Sequence, residues 1–223
     1  SRAAIQPNRC FPDIDSLPNV DFVIHCGEPA SMKNNEDIKV FKNIDKLLHK
    51  ATKNFIYLSS SQVYGEETGN YNETSPVNPS SEYSERKLRN EQKVYEFGGV
   101  ILRVSNIFGG YAKKGSLLGD IYGQLNKDGP VELRCKNDAR DFLDIEDLCR
   151  LFDIVCRQSI SGVYNASSGV SYRAEQLAQI ILVSNGESQR LITSSNDTPG
   201  SQISISNEKI RFVSGWKPLF DVH

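Results

Sequence analysis

The sequence lacks the features that mark several classes of protein. No run of apolar residues approaches the roughly 18 that a membrane-spanning helix needs. The three histidines, His25, His49 and His223, are too scattered to match the spacing of metal ligands. A formal charge of -2 leaves no basic field that would attract nucleic acid or an anionic membrane. We therefore expect a protein that binds no metal, no nucleic acid and no membrane.

The cysteines lack a pairing pattern. There are five, with no Cys-x-x-Cys pair, at positions 10, 26, 135, 149 and 156. An odd, scattered set is typical of reduced thiols and not of a disulfide framework, so it predicts a cytoplasmic protein. With 223 residues, of which 38% are hydrophobic and 24% charged, the chain is long enough for one good core, or for one domain and a small appendage.

The apolar pattern predicts strands and helices that alternate along the chain. Short runs of apolar and β-branched residues indicate buried strands, and apolar residues three or four apart indicate helices. The predicted strands are 20–26, 54–59, 100–104, 131–134 and 162–166. The predicted helices are 36–51, 81–97, 116–127, 146–157 and 172–184, with Ser80 or Ser81 capping the second and Asp147 expected as a cap of the fourth. Such alternation favours a parallel sheet with right-handed crossovers.

Three polar side chains stand out against this pattern. Tyr83 and Lys87 are four residues apart, so they lie on one face of the predicted helix, one turn apart. Ser60 directly follows the strand that precedes this helix, at the carboxyl end where ligands bind in open α/β sheets. The Lys87 ammonium would favour the phenolate of Tyr83 electrostatically, and Ser60 would hold a substrate oxygen. These residue types indicate a site for carbonyl and alcohol redox chemistry, although a surface helix with an incidental Tyr and Lys pair is the alternative.

The chain resembles the extended short-chain dehydrogenase/reductase family, in particular its NAD-dependent epimerase/dehydratase branch. Seven segments match family landmarks in the same order, at 20–27, 59–65, 72–87, 102–109, 140–147, 162–165 and 215–218. The resemblance implies a doubly wound, Rossmann-like parallel sheet over 1–110, without its first strands. It also implies a mixed region over 111–223 that extends the sheet and forms a small α+β substrate-binding lobe.

Residue roles follow from the same resemblance. Ser60, Tyr83 and Lys87 would be catalytic, with Tyr83 as the acid and base. NAD or NADP would contact Tyr83 and Lys87 as well as three residues near strand ends, Cys26, Gly27 and Ser59. Asn106 and Arg140, together with Ser60, would bind the substrate, a nucleotide sugar or a related carbonyl compound. An ion pair with Asp141 or Asp144 is an equally weighted alternative for Arg140. The resemblance also implies a homodimer.

One landmark of that family is absent. A dinucleotide cofactor needs a glycine-rich turn after the first strand, where backbone amides and a helix N-terminus receive the pyrophosphate. No GxxGxxG spacing occurs in this sequence, and the first landmark corresponds to the family's fourth strand. Without three partner strands the apolar segment 20–26 would expose a sheet edge, which is an aggregation hazard. We therefore favour an excerpt of a longer protein over a natural protein that has lost half of its cofactor site, and we expect the 223 residues alone to bind cofactor poorly or not at all.

The residues after Ser60 bear on the reaction. Dehydratases of this family carry an Asp-Glu pair there, and this chain has Ser61 and Gln62, which disfavours loss of water. The resemblance then leaves an epimerase, which moves a hydride off and back through a keto-sugar intermediate, and an NADPH-dependent keto-sugar reductase. We favour the epimerase. A non-catalytic cofactor-binding sensor or scaffold is an alternative of another class, although such proteins commonly lose the Ser, Tyr and Lys set that this chain keeps.

Overall fold

The computed structural model describes residues 14–26, 43–110, 114–196 and 198–220. The strands are β1 Val20–His25, β2 Ala51–Ser60, β3 Gly69–Tyr71, β4 Val100–Val104, β5 Asn106–Phe108, β6 Val131–Cys135, β7 Ala139–Asp144, β8 Gly162–Ala166, β9 Ser171–Arg173, β10 Ile192–Asn196 and β11 Ile203–Ile205. Helix α1 is the helical segment at 43–48. The others are α2 Glu82–Phe97, α3 Leu117–Tyr122, α4 Ile145–Arg157, α5 Ala174–Ser184 and α6 Glu208–Ser214.

The central sheet has the strand order β1-β2-β4-β8, and every neighbouring pair is parallel. Ser60 of β2 lies opposite Val104 of β4, which in turn lies opposite Ala166 of β8. The carboxyl ends of three strands therefore meet at one edge of the sheet. This confirms the expected α/β class with a parallel sheet.

Helices cover both faces of this sheet, because successive buried side chains of β2 point to opposite faces. Phe55 and Tyr57 are buried in a cluster with residues of α1 and α2. Ile56 belongs to a second cluster, which includes residues of α4 and α6 and the fully buried Trp216. Because successive side chains of a strand point to opposite faces, α2 lies on one side of β2 and α4 on the other.

Helix α2 has strong signals at both ends. Ser81 is the N-cap residue: its hydroxyl accepts a hydrogen bond from the Ser84 amide at 3.2 Å, and the Ser84 hydroxyl accepts one from the Ser81 amide at 3.0 Å. Gly98 ends the helix in the left-handed conformation at φ +85°. A side chain is strained in that conformation and glycine is not. The predicted helix from Ser81 to about Phe97 is confirmed.

The described residues also form three smaller sheets. They have the orders β5-β7-β9, β10-β6 and β11-β3. A separate apolar cluster joins α3, α5 and β6, and it includes Ile121, Val131, Leu133, Ala178 and Leu182. Strand β11 pairs with β3, and this pairing holds the chain near residue 203 against the segment between β2 and α2.

Several sequence predictions are wrong in detail. The predicted helix 36–51 lies partly outside the described residues, and Ala51 begins β2 because it pairs with Val20. The predicted helix 116–127 ends at Tyr122, where Gly123 caps it. The predicted helix 172–184 begins at Ala174, because Ser171–Arg173 pairs with β7 as strand β9. Asp144, and not Asp147, caps α4 by accepting a hydrogen bond from the Glu146 amide at 2.7 Å.

Candidate functional site

The site is built at the carboxyl edge of the central sheet. Ser60 is the last residue of β2, Cys26 directly follows β1, and Asn106 follows β4 after one residue. The hydroxyl of Ser60 accepts a hydrogen bond from the Gln62 amide at 3.2 Å, so Ser60 caps the short 3-10 turn Ser61–Tyr64. Helix α2 packs against both β2 and this turn. The packing brings the helix that carries Tyr83 and Lys87 to the strand end that carries Ser60.

Lys87 is buried, with 2% of its surface exposed. Its Nζ donates a hydrogen bond to the Leu58 carbonyl at 2.6 Å, and it lies 4.9 Å from the centre of the Tyr57 ring. The same nitrogen lies 5.6 Å from the centre of the half-buried Tyr83 ring. The Cζ atom of Arg86 lies 5.8 Å from that ring. Two cations therefore flank Tyr83, and one of them is held against the end of β2.

A buried carboxylate that the sequence reasoning missed lies one turn further along α2. Glu91 is 4% exposed, and the Ser59 hydroxyl donates a short hydrogen bond to its Oε1. Arg103 of β4 donates to Oε1 through Nε at 3.1 Å and to Oε2 through Nη2 at 2.8 Å. The spacing of Glu91, four residues after Lys87, could have drawn attention to it. The hydroxyl of Ser59 therefore bonds to a side chain in the interior, and its contact with a cofactor stays a prediction.

Cys26 lies near Lys87, although the two residues are far apart in sequence. Much of Cys26 is exposed, but desolvation of its sulfur raises the pKa of the thiol, and the Lys87 ammonium opposes that rise. The structure therefore brings the end of β1 close to the end of β2 and to α2. Gly27, the other predicted cofactor contact on this loop, lies outside the described residues.

Asn106 and Arg140 lie on the neighbouring strands β5 and β7, which are paired. The Asn106 side-chain amide donates to the Asp141 carbonyl at 3.0 Å. Arg140 donates from Nη1 to the Ser201 carbonyl at 2.8 Å and from Nη2 to the Ser201 hydroxyl at 2.7 Å. The alternative of an ion pair between Arg140 and Asp141 or Asp144 is therefore wrong. The substrate contacts of both residues stay predictions.

The residues at this edge fit one end of a dinucleotide cofactor. A buried ammonium that lies beside a tyrosine at the carboxyl end of a parallel strand is suited to ribose hydroxyls and to the nicotinamide end. The pyrophosphate end has no matching glycine-rich spacing in the sequence. In the part of the chain that the structure describes, no cluster of three or more His, Cys, Asp or Glu side chains could hold a metal ion. No helix in the described ranges has the length and apolar character to cross a membrane.

A parallel sheet of this kind, with Tyr and Lys one helical turn apart beside a serine at a strand end, is the arrangement of the short-chain dehydrogenase/reductase class. The chain belongs to the NAD dependent epimerase/dehydratase family, whose model matches residues 13–167. The match covers β1, β2, α2, β5 and β7, which carry or directly precede the predicted site residues.

Curated relatives with significant similarity are dTDP-D-glucose 4,6-dehydratases. The chain is 28% identical to the protein of Homo sapiens over 181 residues, which cover 74% of this chain and 51% of the relative. It is also 28% identical to the protein of Dictyostelium discoideum, over 66% of this chain and 41% of that protein. The chain thus spans about half the length, or less, of these relatives.

Solved structures share the fold at lower sequence identity. RMD from Pseudomonas aeruginosa, solved with NADPH, superposes with a TM-score of 0.80 at 19% identity, over 94% of this chain and 82% of that one. UDP-glucuronic acid 4-epimerase from Bacillus cereus, solved with NAD, gives 0.79 at 21% identity, over 94% of this chain and 75% of that one. These neighbours confirm the Rossmann-like fold class.

Proposed function

We propose that this chain carries the catalytic part of an NAD(P)-dependent nucleotide-sugar epimerase. The observation that carries the proposal is the position of Lys87, whose buried ammonium is held against the Leu58 carbonyl beside the Tyr83 ring. Burial of an ammonium carries a desolvation cost that hydrogen bonds must offset, and this ammonium lies at the strand end where ligands of this fold class bind. The family match, with relatives that act on a nucleotide sugar, supports the substrate class.

In this proposal Tyr83 is the acid and base. The Lys87 and Arg86 cations near its ring favour the phenolate, which can take the proton of a sugar hydroxyl and later return it. Ser60, at the end of β2, would donate a hydrogen bond to the same sugar oxygen and orient it. A bound nicotinamide supplies hydride uptake and return. Return of the hydride to the opposite face of the same carbon would invert that carbon, and the net reaction would consume no reductant.

Dehydration is less well supported, although the curated relatives are dehydratases. Loss of water needs groups that move a second proton, and the two residues after Ser60 are Ser61 and Gln62. Neither side chain titrates in the working pH range, and Gln62 is exposed on the 3-10 turn. Reduction of a keto sugar is the second candidate, because the superposable RMD structure was solved with NADPH and uses the same fold.

The remaining assignments are part of this proposal. Asn106 and Arg140 would contact the substrate, and Cys26, Gly27 and Ser59 would contact the cofactor. We also propose a boundary near residue 110 between the part that holds the cofactor and the part that holds the substrate, and a homodimer in solution. Light scattering tests the dimer, because a mass of 24.9 kDa would show a monomer.

The test is the variant Tyr83→Phe, assayed with NAD⁺ and UDP-glucuronic acid while proton NMR follows the anomeric signal of the epimer. We expect kcat to fall by about 10²- to 10⁴-fold, because general acid and base catalysis contributes that much. The matched control is Tyr95→Phe on the same helix, a residue that is 60% exposed, and it should stay within about twofold of the wild type. Equal rates for Tyr83→Phe and wild type would overturn the proposal. A wild-type protein that binds NAD⁺ or NADP⁺ but shows no turnover with either would favour the sensor or scaffold alternative.

A further inference from the structure

Three side chains of α2 form a row along one face of the helix. Tyr83, Lys87 and Glu91 are each four residues apart, so successive members lie one turn apart on the same side. Lys87 contacts the backbone of Leu58, and Glu91 contacts the side chain of the next residue, Ser59. The helix is therefore tied to the carboxyl end of β2 at two successive residues, directly before Ser60.

Glu91 also connects α2 to the next strand. Arg103 lies opposite Ser59 in the register between β2 and β4, and it donates to both oxygens of the Glu91 carboxylate. One carboxylate therefore joins α2, β2 and β4 in the interior, where Glu91 is 4% and Arg103 6% exposed. Charge-assisted hydrogen bonds from a planar guanidinium fix direction as well as distance.

We propose that Glu91 is a positioning residue, which fixes the helix that carries Tyr83 and Lys87 relative to the strand end that carries Ser60. This inference rests on the proposed function and adds a residue to it. Glu91 itself touches none of the three proposed catalytic side chains through a hydrogen bond that the structure describes, so it acts through Ser59 and Arg103. A shift of about 1 Å between reacting groups can cost about 10²-fold in rate, so a residue that fixes their positions can affect the rate strongly.

Stability alone is a poor explanation for this arrangement. Taking two charges out of water carries a desolvation cost that their attraction often only balances, and well-packed apolar residues of similar volume are often as good. For that reason the double variant Glu91→Met/Arg103→Met separates a role in stability from a role in positioning α2. It removes the connection while it keeps the volume and leaves no unpaired charge. A purely structural ion pair predicts a variant that is folded and fully active.

We expect this double variant to unfold within about 5 °C of the wild type. Its kcat should fall by about 10- to 100-fold while KM for UDP-glucuronic acid changes less than about threefold. Amide hydrogen exchange should become faster at residues 58–60 and 83–87 and stay unchanged elsewhere, whereas a loss of global stability would accelerate exchange throughout the core. Ser59→Ala, which removes one hydrogen bond and no charge, should show the same local pattern with a smaller effect. If the double variant fails to fold, the Ser59→Ala variant is used for the test instead.

The matched control is Asp45→Asn, which removes an exposed ion pair with Lys93 on the same helix, where the nitrogen lies 2.6 and 2.7 Å from the two oxygens. It should leave kcat and the exchange of residues 58–60 unchanged. Full activity and unchanged local exchange in both the double variant and Ser59→Ala would overturn the positioning role. The exchange measurement needs no turnover, so it decides this inference even if Tyr83→Phe shows that the proposed reaction is wrong.

Discussion

Trp216 donates a hydrogen bond from its indole Nε1 to the backbone carbonyl of Asp147 at 3.0 Å, and both residues are buried. The carboxylate of Asp147 accepts further hydrogen bonds from the amides of Leu219 and Phe220, each at 3.0 Å, and pairs with Arg150. One residue of α4 therefore anchors the chain that follows α6. Trp216 packs in the same cluster as Ile56 and Leu102, so this segment is fastened to the core of the central sheet.

We expect Asp147→Ala to lower the free energy of unfolding by about 2–4 kcal/mol, because it removes a buried carboxylate that accepts hydrogen bonds from two backbone amides and from Arg150. Urea denaturation followed by the fluorescence of Trp216 measures this loss. The control is Asp153→Ala on the same helix, whose pair with Arg157 is exposed on both sides and should be worth less than about 1 kcal/mol. Equal losses in the two variants would contradict the anchoring role.

Asp141 should make stability depend on pH. Burial raises the pKa of its carboxyl, although hydrogen bonds from Ser105, Ser168 and Gly169 oppose the shift. Since the folded pKa lies above the unfolded value of 3.8, the native state binds more protons between the two. This contribution to stability is therefore fully present below the unfolded pKa, and it is lost as the pH rises through the folded pKa.

The measurement is urea unfolding of wild type and Asp141→Asn at several pH values upward from 3.8. The variant cannot titrate at this position, so the difference in stability between the two proteins should change in that window and become constant above the folded pKa. Asp153→Asn, with a 60% exposed side chain, serves as the comparison for a surface carboxyl. A difference that stays constant across the whole range would show that Asp141 does not titrate with a raised pKa.

Two adjacent glycines after α2 should respond differently to alanine. Gly98 has φ +85° and no atom within 4 Å of an added Cβ, so Gly98→Ala costs only the strain of the left-handed conformation, about 1–2 kcal/mol. At Gly99 an added Cβ would lie 2.7 Å from the Phe55 carbonyl oxygen and 2.7 Å from Cγ1 of Val94. Gly99→Ala should therefore cost more, about 3 kcal/mol or above, since β2 or α2 must move. Thermal unfolding of both variants checks this order.

Arg190 should be important for the stability of the region around α3. It donates to the backbone carbonyls of Gln124, Lys127 and Gly129 at 2.9, 2.7 and 2.7 Å. We expect Arg190→Met, which keeps an unbranched apolar stem, to lower the free energy of unfolding by about 1–3 kcal/mol. Hydrogen exchange should rise first at residues 124–130. The exposed Arg157→Met provides the control, and an equal effect there would contradict the interpretation.

The elements of the central sheet and helix α2 were predictable because local and tertiary signals agree there. All residues of the strand 100–104 are buried, and all except Arg103 are apolar. The strand 162–166 begins at a glycine. The serines before α2 are N-cap residues by type, and Ser81 forms the capping box. The pairing of Tyr83 with Lys87 follows from helix geometry alone, so both could be placed before the structure was known.

Other elements could not be predicted because distant pairing creates them. Strand β10, with the sequence Ile-Thr-Ser-Ser-Asn, has one apolar residue and exists through its pairing with β6. Strand β7 contains an arginine and two aspartates, and its buried Asp141 is tolerated because Ser105, Ser168 and Gly169 donate to it. Glu91 was missed for the same reason: a carboxylate on a helix is normally exposed, and only the positions of Ser59 and Arg103 make it interior.

The hydrogen bond from Lys87 to Leu58 has a thermodynamic consequence for any ligand at this edge. A free lysine side chain carries about 2 kcal/mol of rotamer entropy, which is lost when the side chain is fixed. Here the side chain is buried and fixed by the fold itself, so that loss belongs to folding and not to association. A ligand that meets the ammonium therefore finds a preorganised charge, and its affinity is not reduced by the ordering of this residue.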